Sequence, residues 1–114
     1  MVEYNELNNS EERNEMTLEI IKNAEEIIIG IAGRLDTSTA PDLDKFINED
    51  VAGNEKLVLD FNKLEYISSA GLRVLLSAQK KMQKLGTMKL INVCEDVMEV
   101  LEMTGFSDIL TIVK

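Results

Sequence analysis

Three observations predict an α/β fold: a mixed, mostly parallel sheet of about five strands, in the order β-β-α-β-α-β-α-β. After residue 26, short apolar runs alternate with amphipathic stretches, which is the pattern of strand–helix–strand units. Before that point, residues 16–22 alternate apolar and polar with period two, the signature of a strand with one face in a core. The chain of 114 residues is 45% hydrophobic, which suits one domain with one core and excludes wholesale disorder.

The elements follow in order. Residues 1–15 are polar and acidic, with Val2, Tyr4 and Leu7 as scattered large apolar groups. They read as a poorly ordered tail, a short helix lying on the domain being the alternative. In residues 16–22, Met16, Leu18 and Ile20 share one side. A turn at residues 23–25 leads to Glu-Ile-Ile-Ile-Gly-Ile-Ala over residues 26–32. That strand is apolar on both faces, so it belongs in the middle of a sheet and pairs with its predecessor as a hairpin. Gly33-Arg34-Leu35-Asp36 leaves the sheet.

Thr37, Ser38 and Thr39 offer a helix N-cap, and Pro41 suits a first helical turn. Ala40, Leu43, Phe46 and Ile47 form an apolar stripe near period 3.6, ending around Asn48. Residues 57–61 are a second buried strand, parallel to the strand before the helix if the crossover is right-handed. A long helix is expected over residues 69–85, with Leu72, Leu75, Leu76, Ala78, Met82 and Leu85 near one side and Gly86 to end it. Lys80, Lys81 and Lys84 read as a solvated face near its C-terminal end. Residues 88–93 read as a strand, residues 95–103 as a short helix closed by Gly105, and residues 109–113 as a last strand. Cys94 reads as a small apolar residue at a strand end, and Met82, Met88, Met98 and Met103 as core filler.

Charge and composition narrow the function. The net charge is −9, so neither nucleic acid nor an anionic membrane is an expected partner. There is no histidine, which removes the usual general base and the commonest metal ligand. The single cysteine allows no internal disulfide and fits a reducing compartment. No phosphate-cradling glycine loop or dinucleotide fingerprint occurs, so no cofactor is expected. No signal peptide and no apolar run near 18 residues is visible, and the chain reads as cytoplasmic, without a membrane span. A binding module is favoured over an enzyme.

The stretch with most chemistry is Leu57-Val58-Leu59-Asp60-Phe61 through Tyr66-Ile67-Ser68-Ser69-Ala70-Gly71-Leu72-Arg73. It carries a strand, a turn, an apolar pair and then the opening of the long helix. A helix start leaves backbone N–H groups without partners and bears partial positive charge. A serine there has three possible jobs: to cap the helix, to hold an anion, or to become one by phosphorylation. Asp36, Thr37 and Ser38 leave the same edge of the sheet, where contacts in α/β folds gather. Asp36 is a candidate to position a serine hydroxyl, with ordinary turn chemistry as the other reading.

This run closely resembles the STAS domain of bacterial anti-sigma factor antagonists. Gly33-Arg34-Leu35-Asp36 resembles the family's Gly-x-Leu-Asp segment, and Thr104-Gly105-Phe106 its C-terminal signature. The resemblance covers residues 16–114. It implies a STAS-type single domain, with helices packed mainly on one face of the sheet and a phosphorylated serine at the start of the long helix. Anchored on Gly71-Leu72, that serine is Ser69, with Ser68 as the alternative. Ser68 then stands where many members have aspartate, Ala70 where they have a second hydroxyl, and Arg73 where they have a second glycine. Asp36, Thr37, Ser38, Ser68, Ser69, Ala70, Gly71, Leu72 and Arg73 become the candidate partner-binding residues. The implied partners are an anti-sigma factor with serine-kinase activity, bound by the dephosphorylated form so that the sigma factor is released, and a phosphoserine phosphatase. The alternative implied role is an accessory or scaffold subunit of a signalling or lipid-transport complex, without a phosphorylation cycle.

Overall fold

The computed structural model describes residues 2–5, 16–52, 55–84 and 86–113. The period-two segment forms strand β2 (Met16–Lys22), with Met16, Leu18 and Ile20 buried and Thr17 and Glu19 facing out. In the turn after it, Asn23 Oδ1 accepts the N–H groups of Glu25 and Glu26, each at 3.0 Å. That side-chain acceptor bends the chain back, and β3 (Glu26–Leu35) pairs antiparallel with β2. Helix α1 (Ala40–Asp50) then carries the chain to β4 (Lys56–Asp60), which lies parallel to β3. Next come β5 (Leu64–Ile67), α2 (Ser69–Met82), β6 (Thr87–Ile91), α3 (Glu95–Met103) and, after a 3-10 turn at Phe106–Asp108, β7 (Ile112–Val113). β6 is parallel to β4, and β7 to β6.

Among the described residues the sheet has seven strands rather than about five. Its order is β1-β2-β3-β4-β6-β7, with β5 off that path and paired to β3. The five expected strands and three expected helices occur in the expected sequence. The two additions are β1 (Val2–Asn5), an antiparallel edge strand on β2, and β5. Residues 2–5 therefore form a strand within the stretch read as a tail; residues 6–15 lie outside the described set. β3 also runs further than expected, to Leu35, through an irregularity between Gly33 and Arg34 where Gly33 takes φ 96. That left-handed conformation favours glycine, and the extra reach of β3 gives β5 its partner. At the other end, the expected last strand is shortened to Ile112 and Val113, because the Ile109 and Leu110 N–H groups both donate to the Phe106 carbonyl and so continue the turn that follows α3. α2 ends at Met82, a turn earlier than the expected position, and Leu85 lies outside the described residues.

The helices cover one face of the sheet. Leu18, Ile27, Ile29, Ile31, Leu57, Leu59 and Leu90 are each at most 1% exposed, and they form one cluster with Leu43, Ile47, Leu75 and Leu101 from the helices. Burying each such side chain contributes about 1.5–3 kcal/mol. On the opposite face Thr17, Glu19, Lys56, Thr87 and Lys89 are exposed. Lys81 leaves the solvated face expected for it. Its ammonium donates to the Ile47 and Asn48 carbonyls at 2.8 and 3.3 Å, closing the C-terminal end of α1, which has no basic residue of its own in its last turn. Of the methionines, Met82 and Met88 are core residues, but Met103 is 80% exposed. Cys94 is the exposed N-cap of α3 rather than an apolar strand end.

Candidate functional site

The site lies where β3 and β5 end. Their parallel pairing sets Arg34 opposite Tyr66 and Leu35 opposite Ile67. The Ser68 N–H then donates to the Leu35 carbonyl at 2.9 Å, so the start of α2 is tied to the end of β3. Two loops are brought side by side in this way, residues 36–39 leading into α1 and residue 68 leading into α2.

The two serines have different surroundings. Ser68 is extended, at φ −106 and ψ 179, and its Oγ accepts the Ala70 N–H at 3.2 Å. Its carbonyl accepts the Leu72 N–H at 2.9 Å, the first bond of the helix. Ser68 is thus the N-cap, a job that contributes about 1 kcal/mol. Ser69 is the first residue of the helix; it is exposed, and its hydroxyl has no hydrogen-bond partner among the described residues. No acidic residue stands in the first turn of α2, so its positive end is not neutralised locally.

Gly71 is buried beneath these serines. A Cβ on it would sit 2.8 Å from Ile67 Cγ1, 2.9 Å from Leu35 Cγ and 2.9 Å from the Leu35 carbonyl oxygen. The glycine lets the helix start close against the β3–β5 strand ends. Leu72 is 7% exposed and joins the core. These two candidate residues thus contribute the helix's position rather than an exposed contact. Arg73 is exposed, Ala70 is half-buried, and both line a groove between α1 and α2 of about 480 Å³, together with Thr37, Pro41, Asp44 and Ser77.

Asp36 organises the other loop. Its Oδ1 accepts the Ser38 hydroxyl at 2.9 Å, the Ser38 N–H at 3.0 Å and the Thr39 N–H at 3.3 Å, while Arg34 Nε lies 3.4 Å from its Oδ2. In return, the Asp36 N–H donates to Thr39 Oγ1 at 2.8 Å, and that hydroxyl donates to the Arg34 carbonyl at 2.8 Å. Thr39, 3% exposed, is therefore a satisfied buried polar group. None of these bonds reaches Ser69. Burial alone would raise the pKa of the Asp36 carboxyl; the bonds from Ser38, Thr39 and Arg34 outweigh it and hold the carboxyl below its ordinary value. A carboxyl with a lowered folded pKa stabilises the fold above its unfolded pKa and loses that contribution as pH falls through the folded value. Asp36→Asn should therefore cost about 1 kcal/mol near pH 7 and progressively less below about pH 4. Urea unfolding of both proteins across that range checks it; a pH-independent difference would show that the charge is not what matters.

Sequence reasoning did not single out Tyr66 and Arg34. Tyr66 is 42% exposed, and the Arg34 guanidinium carbon lies 4.2 Å from its ring centroid. Tyr66 and Ile67 form an apolar pair in the sequence, yet only Ile67 is buried. The outward position of Tyr66 follows from the short β5 strand, where Leu64 and Ile67 are the buried ends. No group of three or more acidic, histidine or cysteine side chains among the described residues is placed to hold a metal ion. No helix among them is long and apolar enough to cross a membrane.

Comparison with known proteins agrees with this architecture. A Bordetella bronchiseptica protein, BtrV, named as a proposed anti-sigma factor antagonist, is 38% identical over 79 residues, 68% of this chain and 62% of its own length, so the match leaves over a third of that relative unspanned. The anti-sigma-B factor antagonist of Bacillus subtilis is 28% identical over 98 residues, covering 85% of this chain and 90% of that one. Among solved structures, an anti-sigma factor antagonist from Mycobacterium paratuberculosis superposes with a TM-score of 0.77 at 22% identity, over 85% of this chain and 84% of that one. SpoIIAA in its unphosphorylated form superposes with a TM-score of 0.70 at 17% identity, over 85% and 88% of the two chains. At such identities the two structures speak for the fold. The sequence signature of the STAS domain matches residues 15–114, and with the layered sheet, the β5–α2 junction and these relatives in view, the chain belongs to the STAS domain family.

Proposed function

We propose that this chain is an anti-sigma factor antagonist: a binding module, without catalytic machinery of its own, controlled by phosphorylation of Ser69. The observation that carries the proposal is the different use of the two adjacent serines. Ser68 caps α2, while the Ser69 hydroxyl is exposed and unengaged among the described residues. An anti-sigma factor with serine-kinase activity would supply the nucleoside triphosphate; Oγ attacks its terminal phosphorus, the diphosphate leaves, and the hydroxyl proton passes to the kinase. The product carries about −1.5 to −2 charges at the positive end of a helix, where the fold tolerates them. The same charge on a close-packed docking surface opposes binding. The bare form therefore holds the anti-sigma factor and frees the sigma factor, and a phosphoserine phosphatase restores it. The names of the Bordetella and Bacillus relatives support this reading.

The test is incubation with the cognate anti-sigma factor and ATP, followed by intact-mass measurement. The expected result is a gain of one phosphate by the native chain and by Ser68→Ala, and none by Ser69→Ala. A phosphate that persists in Ser69→Ala, or that disappears only in Ser68→Ala, would move the switch elsewhere.

A further inference from the structure

Arg73 stands four residues after Ser69, on the same exposed side of α2. It makes no hydrogen bond or ion pair among the described residues, and it is the sole cation of the first two turns of the helix. Residues four apart on a helix are stacked one turn above the other, about 6 Å apart. Helical side chains also lean toward the N-terminus, so a long side chain at residue 73 covers the turn that begins at residue 69. Guanidinium is the side-chain group whose paired donors best match phosphate oxygens.

We propose that Arg73 clamps the phosphate of phosphorylated Ser69 within the helix, and that this capture withdraws the guanidinium from the α1–α2 groove. The inference rests on Ser69 being the modified residue. In the bare form, Arg73 offers a cation to the groove that Asp44 of α1 also lines, available to an acidic group on a docking protein. In the phosphorylated form the same side chain turns back to the anion. One covalent event thereby adds negative charge at the helix start and removes positive charge from the neighbouring groove. An anionic contact on the partner loses its attraction and gains a repulsion together.

The test needs neither kinase nor partner. Phosphoserine is installed at position 69 during translation, in the full chain carrying Arg73, Arg73→Lys or Arg73→Gln, and the phosphorus NMR signal is followed through its second ionisation. A nearby cation favours the dianion, so the native chain should ionise about half a unit lower than Arg73→Gln, with Arg73→Lys between them. The difference should shrink in high salt. Melting temperatures of the same set, with and without phosphate, separate pairing from simple helix support: Arg73→Gln should lower the melting temperature more in the phosphorylated chain. Equal ionisation in the native chain and Arg73→Gln, or an equal loss of melting temperature with and without phosphate, would overturn the clamp. A kinase that ignores Ser69 would instead defeat the proposed function while leaving this measurement intact.

Discussion

Gly71→Ala should destabilise the protein by about 3 kcal/mol, at the upper end of what overpacking costs. The added methyl has three atoms within 3.0 Å, and one of them, the Leu35 carbonyl oxygen, belongs to a backbone that cannot rotate away. Leu35 and Ile67 are themselves buried in the core, at 0% and 3% exposure, so their side chains have little room to yield. Either the helix start lifts off the strand ends or the core expands. For a domain of this size, the loss should appear as a fall in melting temperature of roughly 10–20 °C. Thermal and urea unfolding check it. A loss below about 1 kcal/mol would mean that α2 can slide at its N-terminus, and that the site is less firmly held than its packing suggests.

Ser69→Asp should leave the fold intact and weaken binding to the anti-sigma factor at least tenfold, about 1.4 kcal/mol or more. The two halves of this expectation have separate physical sources. A carboxylate at the first helical position meets unpaired N–H groups and the positive end of the dipole, so stability should hold or rise by about 0.3–1 kcal/mol. The Ser68 cap is untouched, because its bond to Ala70 does not involve residue 69. If the anti-sigma factor docks over that position, as proposed, it would have to take up a desolvated charge there. Titration against the anti-sigma factor, with melting curves recorded alongside, reads both quantities. Equal affinity in the two forms would remove the basis for charge control at this residue.

Most of the layering was legible in the sequence because it depends on periodicity. The alternation of Met16, Leu18 and Ile20, the apolar run after residue 26, and the stripe Leu72, Leu75, Ala78 and Met82 each report directly on what is buried. The parts that escaped have no such signal. β5 has four residues, of which only Leu64 and Ile67 are buried, too short a stretch for a period to emerge. β1 lies in a polar acidic stretch, and its pairing with β2 comes from the backbone. The last strand read as longer than it is because Ile109 and Leu110 are apolar, although they belong to the turn after Phe106.

The helix start after β5 was legible in the sequence, but not the different surroundings of its two serines. Adjacent serines at a helix start look alike in sequence; which one caps depends on backbone angles that only the fold fixes. Likewise, Asp36 looked equally suited to reaching a neighbouring hydroxyl and to shaping its own turn. Its bonds to Ser38 and Thr39 assign it to the turn. Lys81 appeared as one of three lysines on a wet face, and its contact with the end of α1 is 33 or 34 residues distant in the chain, beyond any local pattern.

Because the cap and the exposed hydroxyl reside on different residues, mutational drift can act on one without the other. A descendant that loses the Ser69 oxygen keeps a properly terminated helix and so escapes purifying selection on folding. Under the proposed switch, regulation and architecture would then be inherited as separable traits, and one substitution at residue 69 would create a permanently receptive form of an otherwise unaltered domain.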